Sequence, residues 1–265
     1  MVPGRCPPTC ASCARASYYD GAGALKDMVQ NHLMEVMALV LMEQPAKIGP
    51  GSHRDVRVEA LRAVATPRAE RMCRNTVRAR YTAGTIGSRQ VPSYVEEPGV
   101  DPDRNTETYA SLTVDVDNAR WAGVPFTLSS GKALDADLAE IVIHFRPLPQ
   151  YLVAQWPGVE PNALRIGLRD PYVRLTTTLN GPERTAERRE LEARSTAPRF
   201  TAYAHLIQEM LNGDPMLFIT SDEAEEAWRV IDPVLNAWSA GDVPLQEYPA
   251  GGAPPGPAVT TAPDA

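Results

Sequence analysis

Several features that would assign a chain quickly are missing or scarce here. No G-x-G-x-x-G follows a strand pattern: Gly21-Ala22-Gly23 lacks both the third glycine and the strand before it, so the chain carries no recognisable dinucleotide-binding unit. No apolar run reaches bilayer length, since the longest, Val36 to Met42, is far too short. Positive charge is not in excess, with 26 Lys and Arg against 33 Asp and Glu and a net charge of −7. That balance argues against nucleic acid and anionic membrane surfaces as partners. The opening residues lack a basic-then-apolar signal pattern, and we expect a soluble, cytoplasmic protein.

Cysteine is scarce too. Three of the four, Cys6, Cys10 and Cys13, crowd into the first seventeen residues, and Cys73 has no obvious partner. The x3 and x2 spacings are those of some iron–sulfur ligand sets, and a three-cysteine zinc knot is the other metal reading. Neither has a supporting strand pattern, so we expect free thiols and no metal. Residues 1–17 are otherwise Pro, Arg, Ala and Ser, too polar to form a core, and are expected to be disordered. The Gly-, Pro- and Ala-rich stretch 251–265 is expected to be a disordered tail.

What is present between them is ordinary globular composition, 43% hydrophobic and 22% charged. A first helix is predicted from Asp20, an N-cap residue, to about Met42, where Pro45 stops it. On a wheel of about 100° per residue, His32 shares a stripe with Leu25, Met28, Val29, Val36, Leu39 and Val40. An imidazole on that stripe is either a satisfied core group or a general base. The same wheel puts Asp27 about 140° away from His32, as a solvated carboxylate. Ser52 to Asp55 reads as a capping box for a second helix through Val64. Alternation predicts strands at Leu112–Val116, Ile141–Phe145, Leu164–Leu168 and Val173–Thr177. Residues 181–198 fit either an irregular helix or a solvated edge strand. Helices return at about 200–212 and 222–239, the latter with Ser221 as cap. Strands in succession predict an α+β fold: a large, mainly antiparallel sheet with helices packed on one face, and no Rossmann domain.

The block Tyr18 to Pro45, with Gln30-Asn31-His32 at its centre, resembles glucose-6-phosphate dehydrogenases just past their nucleotide-binding domain. Further stretches resemble the same family in the same order. They are Thr106-Glu107-Thr108-Tyr109-Ala110, Arg120-Trp121 to Phe126, Ser130-Gly131-Lys132, Ala139 to Phe145, Ala227-Trp228 to Pro233, and Tyr248 to Gly251. The resemblance implies that residues 18–250 are the family's C-terminal domain, with the N-terminal nucleotide-binding domain absent. It also implies oxidation of glucose 6-phosphate with NADP in the pentose phosphate pathway, and a homo-oligomer or dimer formed through the sheet. By position, His32 is the family's base, Asp27 a sugar-binding residue and Lys132 a substrate lysine; unaided, Lys132 reads as a loop lysine.

Some positions depart from the family's pattern. Asp137 stands where a basic residue is common, Ser129 where arginine is, and Gly167 and Arg169 where arginine and glutamine are. The segment that supplies the carboxylate orienting the base is not found in the chain. We therefore expect a truncated form, inactive alone. The alternative is a non-catalytic dimerisation or regulatory partner of an intact dehydrogenase.

Overall fold

The computed structural model describes residues 11–47, 51–147, 149–153, 159–182, 185–195, 202–215, 218–253 and 255, with backbone alone for 11–17, 152–153 and 202. Cys6, Cys10, the Cys13 side chain and most of the 251–265 tail lie outside the described residues. The chain divides into two units, Met1–Asp135 with Gln208–Ala265, and Ala136–Ile207.

In the first unit, α1 (Ala11–Ala24), a π-helix (Leu25–Leu33) and α2 (Met34–Leu41) follow one another, then α3 (Arg54–Arg62) and the short α4 (Met72–Asn75). Strand β1 (Thr76–Thr82) comes next, then the hairpin of β2 (Gly84–Ile86) and β3 (Arg89–Val91), β4 (Tyr109–Val114) and β5 (Phe126–Gly131). A sheet runs in the order β10-β1-β4-β5, with β10 (Leu245–Pro249) lying parallel to β1 and the other pairs antiparallel. β1 alternates buried Val77, Ala79 and Tyr81 with half-buried Arg78 and Arg80, the period of a strand covered unequally on its two faces. β4 is buried continuously from Tyr109 to Leu112, as befits a central strand. The core joins these strands to Leu25 and Val29 of the π-helix, Met34, Met37, Ala38 and Leu41 of α2, and Val230, Ile231 and Val234 of the long last helix.

In the second unit, β6 (Glu140–His144), β7 (Ala163–Gly167), β8 (Tyr172–Asn180) and β9 (Ala186–Arg194) form a fully antiparallel sheet in the order β6-β7-β8-β9, with the short helix α5 (Gln150–Val153) between β6 and β7. The register stacks Ile143, Leu164, Leu175 and Leu191 in one cross-strand row and Ile141, Ile166, Val173 and Ala193 in another. The intervening rows, such as Val142, Arg165, Arg174 and Glu192, point the other way and are laced by ion pairs. Segment 181–198 is thus resolved over β9 as an exposed, charged edge strand. Helix α6 (Ala202–Asn212) runs across the division at Ile207, and α7 (Ser221–Ala240) belongs to the first unit.

The mixed helix-and-sheet class with antiparallel pairing is observed, but three cap expectations are corrected. Asp20 does not start a helix. Its carboxylate is buried and accepts from the Tyr94 hydroxyl (3.2 Å), the Asp101 amide (3.1 Å) and Arg104 (3.2 Å). The second helix has no capping box; its N-cap is His53, without a side-chain cap. For α7 the cap is Thr220 rather than Ser221: its hydroxyl accepts from the Glu223 amide while the Glu223 carboxylate accepts from Thr220.

Candidate active site

The helical block was read as a single α-helix, and its centre is something else. Gly23 (φ 72°, ψ 170°) breaks α1, and the next nine residues, Leu25–Leu33, are π-helical. The Met34 amide closes the segment on the carbonyl of Val29, five residues back. Leu25 and Met34 are both buried, and they are nine positions apart. In an α-helix nine steps of about 100° would point them to opposite sides. Wide turns let both face the core.

The apolar stripe expected around His32 is therefore corrected. Leu39 is 51% exposed, Val36 and Val40 are half-buried, and His32 itself is exposed. The buried face is Leu25, Val29, Met34, Ala38 and Leu41, at spacings no single α-helical wheel reproduces. The same geometry changes the relation of Asp27 to His32. A π-helix bonds residue i to i+5, and five is their separation, so they stack one turn apart, as i and i+4 do in an α-helix. The half-buried Asp27 and the exposed His32 thus share a side of the helix. Among the described residues neither side chain has a hydrogen bond or ion pair.

Lys132 arrives from another direction, one residue past β5. Its amide donates to Thr108 O at 2.9 Å and its carbonyl accepts from the Tyr248 hydroxyl at 2.6 Å. Burial pushes that phenol up to about 12, so it stays protonated and donates. Thr108 supports the same chain of bonds: its hydroxyl accepts from the Tyr81 amide (2.9 Å) and meets the Tyr248 oxygen at 3.0 Å. With its backbone held, Lys132 sets its ammonium 3.8 Å from the centroid of the Tyr19 ring, a cation–π contact. Tyr19 is buried, and its phenol is driven well above the ordinary tyrosine value by that burial first. The negative charges of Glu107 and Asp27 add to the effect. Tyr19 thus contacts the lysine and feels the charge of the aspartate, a role that nothing in the sequence singles out.

Glu35 was missed as well. Burial raises its carboxyl above the usual range; His32 and Arg57 oppose the shift and Glu223 adds to it. A half-buried carboxyl therefore feels the His32 imidazole from the next turn, although no bond joins them. His32 and Lys132 are exposed, and Asp27 and Glu35 half-buried. A cavity of about 740 Å3 is lined instead by Asp20, Lys26, Arg78, Arg104, Glu107 and Trp238, and it includes none of Asp27, His32 and Lys132.

The departing positions have local explanations. Arg169 and Asp137 pair with each other, so the acidic residue is neutralised by the unexpected basic one. A Cβ on Gly167 would lie 2.4 Å from the Tyr172 ring, which leaves room for no side chain. Ser129 lies opposite Ser111 in the β4–β5 ladder.

Comparison with known proteins places this arrangement. The family profile described as "Glucose-6-phosphate dehydrogenase, C-terminal domain" matches residues 9–263. The glucose-6-phosphate 1-dehydrogenase of Mycolicibacterium smegmatis is 39% identical over 252 residues, covering 90% of this chain and 50% of that protein. That of Treponema pallidum is 39% identical over 248 residues, covering 89% and 48%. The crystal structure of the Mycobacterium avium enzyme superposes with a TM-score of 0.74 at 34% identity, over 91% of this chain and 49% of that one. A glucose-6-phosphate dehydrogenase in complex with its substrate glucose 6-phosphate superposes with a TM-score of 0.78 at 29% identity, over 92% and 51%. The chain spans about half the length of the curated relatives it matches. With the family profile covering nearly all of it, the chain belongs to the glucose-6-phosphate dehydrogenase family, as a C-terminal domain of that family.

Proposed function

We propose that this chain is the substrate-side domain of a glucose-6-phosphate dehydrogenase, in which His32 is the base, Asp27 a sugar-hydroxyl acceptor and Lys132 a cation for a sugar hydroxyl or the phosphate. In the family's reaction the C1 hydroxyl of glucose 6-phosphate is oxidised to a lactone, with NADP taking the hydride. Loss of hydride from C1 becomes easier as the hydroxyl proton leaves, and an exposed imidazole suits its removal near neutral pH. The observation that supports the reading is the π-helical register. It sets a carboxylate and an imidazole on one side of one element, and Lys132 lies over the ring of Tyr19, whose phenol feels the same carboxylate.

NADP itself does not fit the described residues. β1 and β10 are parallel, yet β1 leads into a hairpin rather than into a helix whose N-terminus would take a pyrophosphate. We accordingly expect residues 1–265 alone to show no turnover. The test follows the His32 ring and Lys132 side-chain resonances while glucose 6-phosphate is titrated into the chain. Both are expected to shift, and His32→Ala or Lys132→Ala to abolish binding. Unmoved resonances would sink the substrate assignment, and NADPH formation by the isolated chain would sink its inactivity.

A second reading rests on the β6–β9 sheet, whose apolar rows leave Leu191 63%, Val173 46% and Ile143 38% exposed. A continuous uncovered apolar face marks an association surface, and we propose a homodimer through it. The same face suits a non-catalytic role, as the partner of an intact dehydrogenase.

A further inference from the structure

The wide-turned helix has to be held at its start. Where Gly23 leaves helical geometry, the amides of Ala24 and Leu25 lose the carbonyls of the preceding turn and need other acceptors. One residue supplies both. The Glu107 carbonyl accepts from Ala24 at 3.3 Å and its Oε1 accepts from Leu25 at 3.0 Å. Glu107 is 9% exposed, a location that disfavours a carboxylate unless it is hydrogen-bonded.

Gly23 is what lets the carboxylate come so near. A Cβ there would stand 2.3 Å from Oε1, and its positive φ is in any case a glycine conformation. At the far end Met34 is 1% exposed in the core. Between these two anchors the chain has nine steps and only an integral pair of turns in which to keep both ends inward. The π register follows from pinning the two ends, and with it the stacking of Asp27 on His32. α-Helical turns would separate them by about 140°.

We propose that Glu107 is a positioning residue of this site: by capping the π-helix at Leu25 through the gap left by Gly23, it fixes the register that puts Asp27 and His32 on one side. Its bearing on catalysis rests on the function proposed above; its bearing on geometry does not.

The experiment uses the full chain and two readouts that need no substrate: hydrogen exchange of the Leu25 amide, and the shift of the His32 ring Cε1–H resonance caused by Asp27→Asn. In the wild-type background the Leu25 amide is protected and Asp27→Asn moves the His32 resonance. Glu107→Ala is expected to speed Leu25 exchange at least about tenfold, the equivalent of one lost hydrogen bond of about 1.4 kcal/mol, and to erase the His32 response. Glu107→Gln keeps an acceptor oxygen and is expected to restore both. If Glu107→Ala does not fold, Glu107→Asp carries the test, since it retains the charge but draws the oxygen back from Leu25. Wild-type protection and response in Glu107→Ala or Glu107→Asp would overturn the proposal, as would a Glu107→Gln chain that has lost both. Glucose 6-phosphate enters neither readout, so failure of the substrate assignment would leave this result standing.

Discussion

Glu35 illustrates how a single side chain here is set by its burial. Its carboxyl binds a proton more tightly in the folded chain than in the unfolded one, because burial outweighs the pull of His32 and Arg57. The folded state therefore holds more protons once pH exceeds the unfolded glutamate value of about 4.3. Stability falls as pH rises from there through the raised folded value. Glu35→Gln removes the group that titrates. Urea denaturation is expected to show the variant gaining on wild type between pH 4 and pH 7, with no difference at the acid end. His32 is singled out in the sequence by its Gln-Asn-His neighbours, and Lys132 by Ser-Gly-Lys, both through the family resemblance. Tyr19 and Glu35 carry no such signal, because the Lys132 contact of the one and the burial of the other are made across the fold, and no local spacing encodes that.

At the level of elements, α3 and α7 are clamped by one buried ion pair. Arg57 Nε lies 2.6 Å from Glu223 Oε1, with side chains 10% and 4% exposed, at an angle that makes it a charge contact rather than an aligned hydrogen bond. Nη2 supplies the hydrogen bonds, donating to Phe218 O at 3.1 Å and to Glu223 Oε2 at 3.4 Å. Glu223→Ala leaves a buried guanidinium unpaired and removes half of the Thr220 capping box. It is expected to cost about 3–5 kcal/mol in chemical denaturation. Arg57→Met with Glu223→Leu is expected to recover most of that loss, since apolar residues fill the space without desolvated charge.

The strands were legible because period-2 alternation survives in them: Leu112 and Val114 are buried as expected. β1 was overlooked although Val77, Ala79 and Tyr81 carry the same signal; the arginines between them masked it. The π-helix was illegible for a different reason. A wheel assumes its own step angle, and this segment's angle is imposed by Glu107, from more than eighty residues away in sequence.

At the scale of the whole molecule, the β6–β9 sheet presents charge on its β9 edge and apolar side chains on one face. Glu187, Arg188, Arg189, Glu190 and Glu192 line that edge, a composition that resists edge-to-edge pairing, whereas the face invites association. Sedimentation velocity is expected to show a concentration-dependent dimer for the wild-type chain. Val173→Asp with Leu191→Asp, both at exposed positions, is expected to weaken that dimer at least about tenfold, since each introduced charge would be desolvated on association. A wild-type chain that sediments as a monomer at all concentrations would leave the face without the role proposed for it.

The hold on Lys132 has a bearing on how the protein is made. The hydroxyl that donates to its carbonyl belongs to Tyr248, on a strand that pairs with one translated about 165 residues earlier. Ribosomes release the chain in order, so His32, Asp27, Thr108 and Lys132 all emerge before the hydroxyl that holds the lysine's carbonyl. On the role proposed for Lys132, a growing polypeptide is expected to hold a sugar phosphate only weakly until residue 248 is out and this hydrogen bond can close.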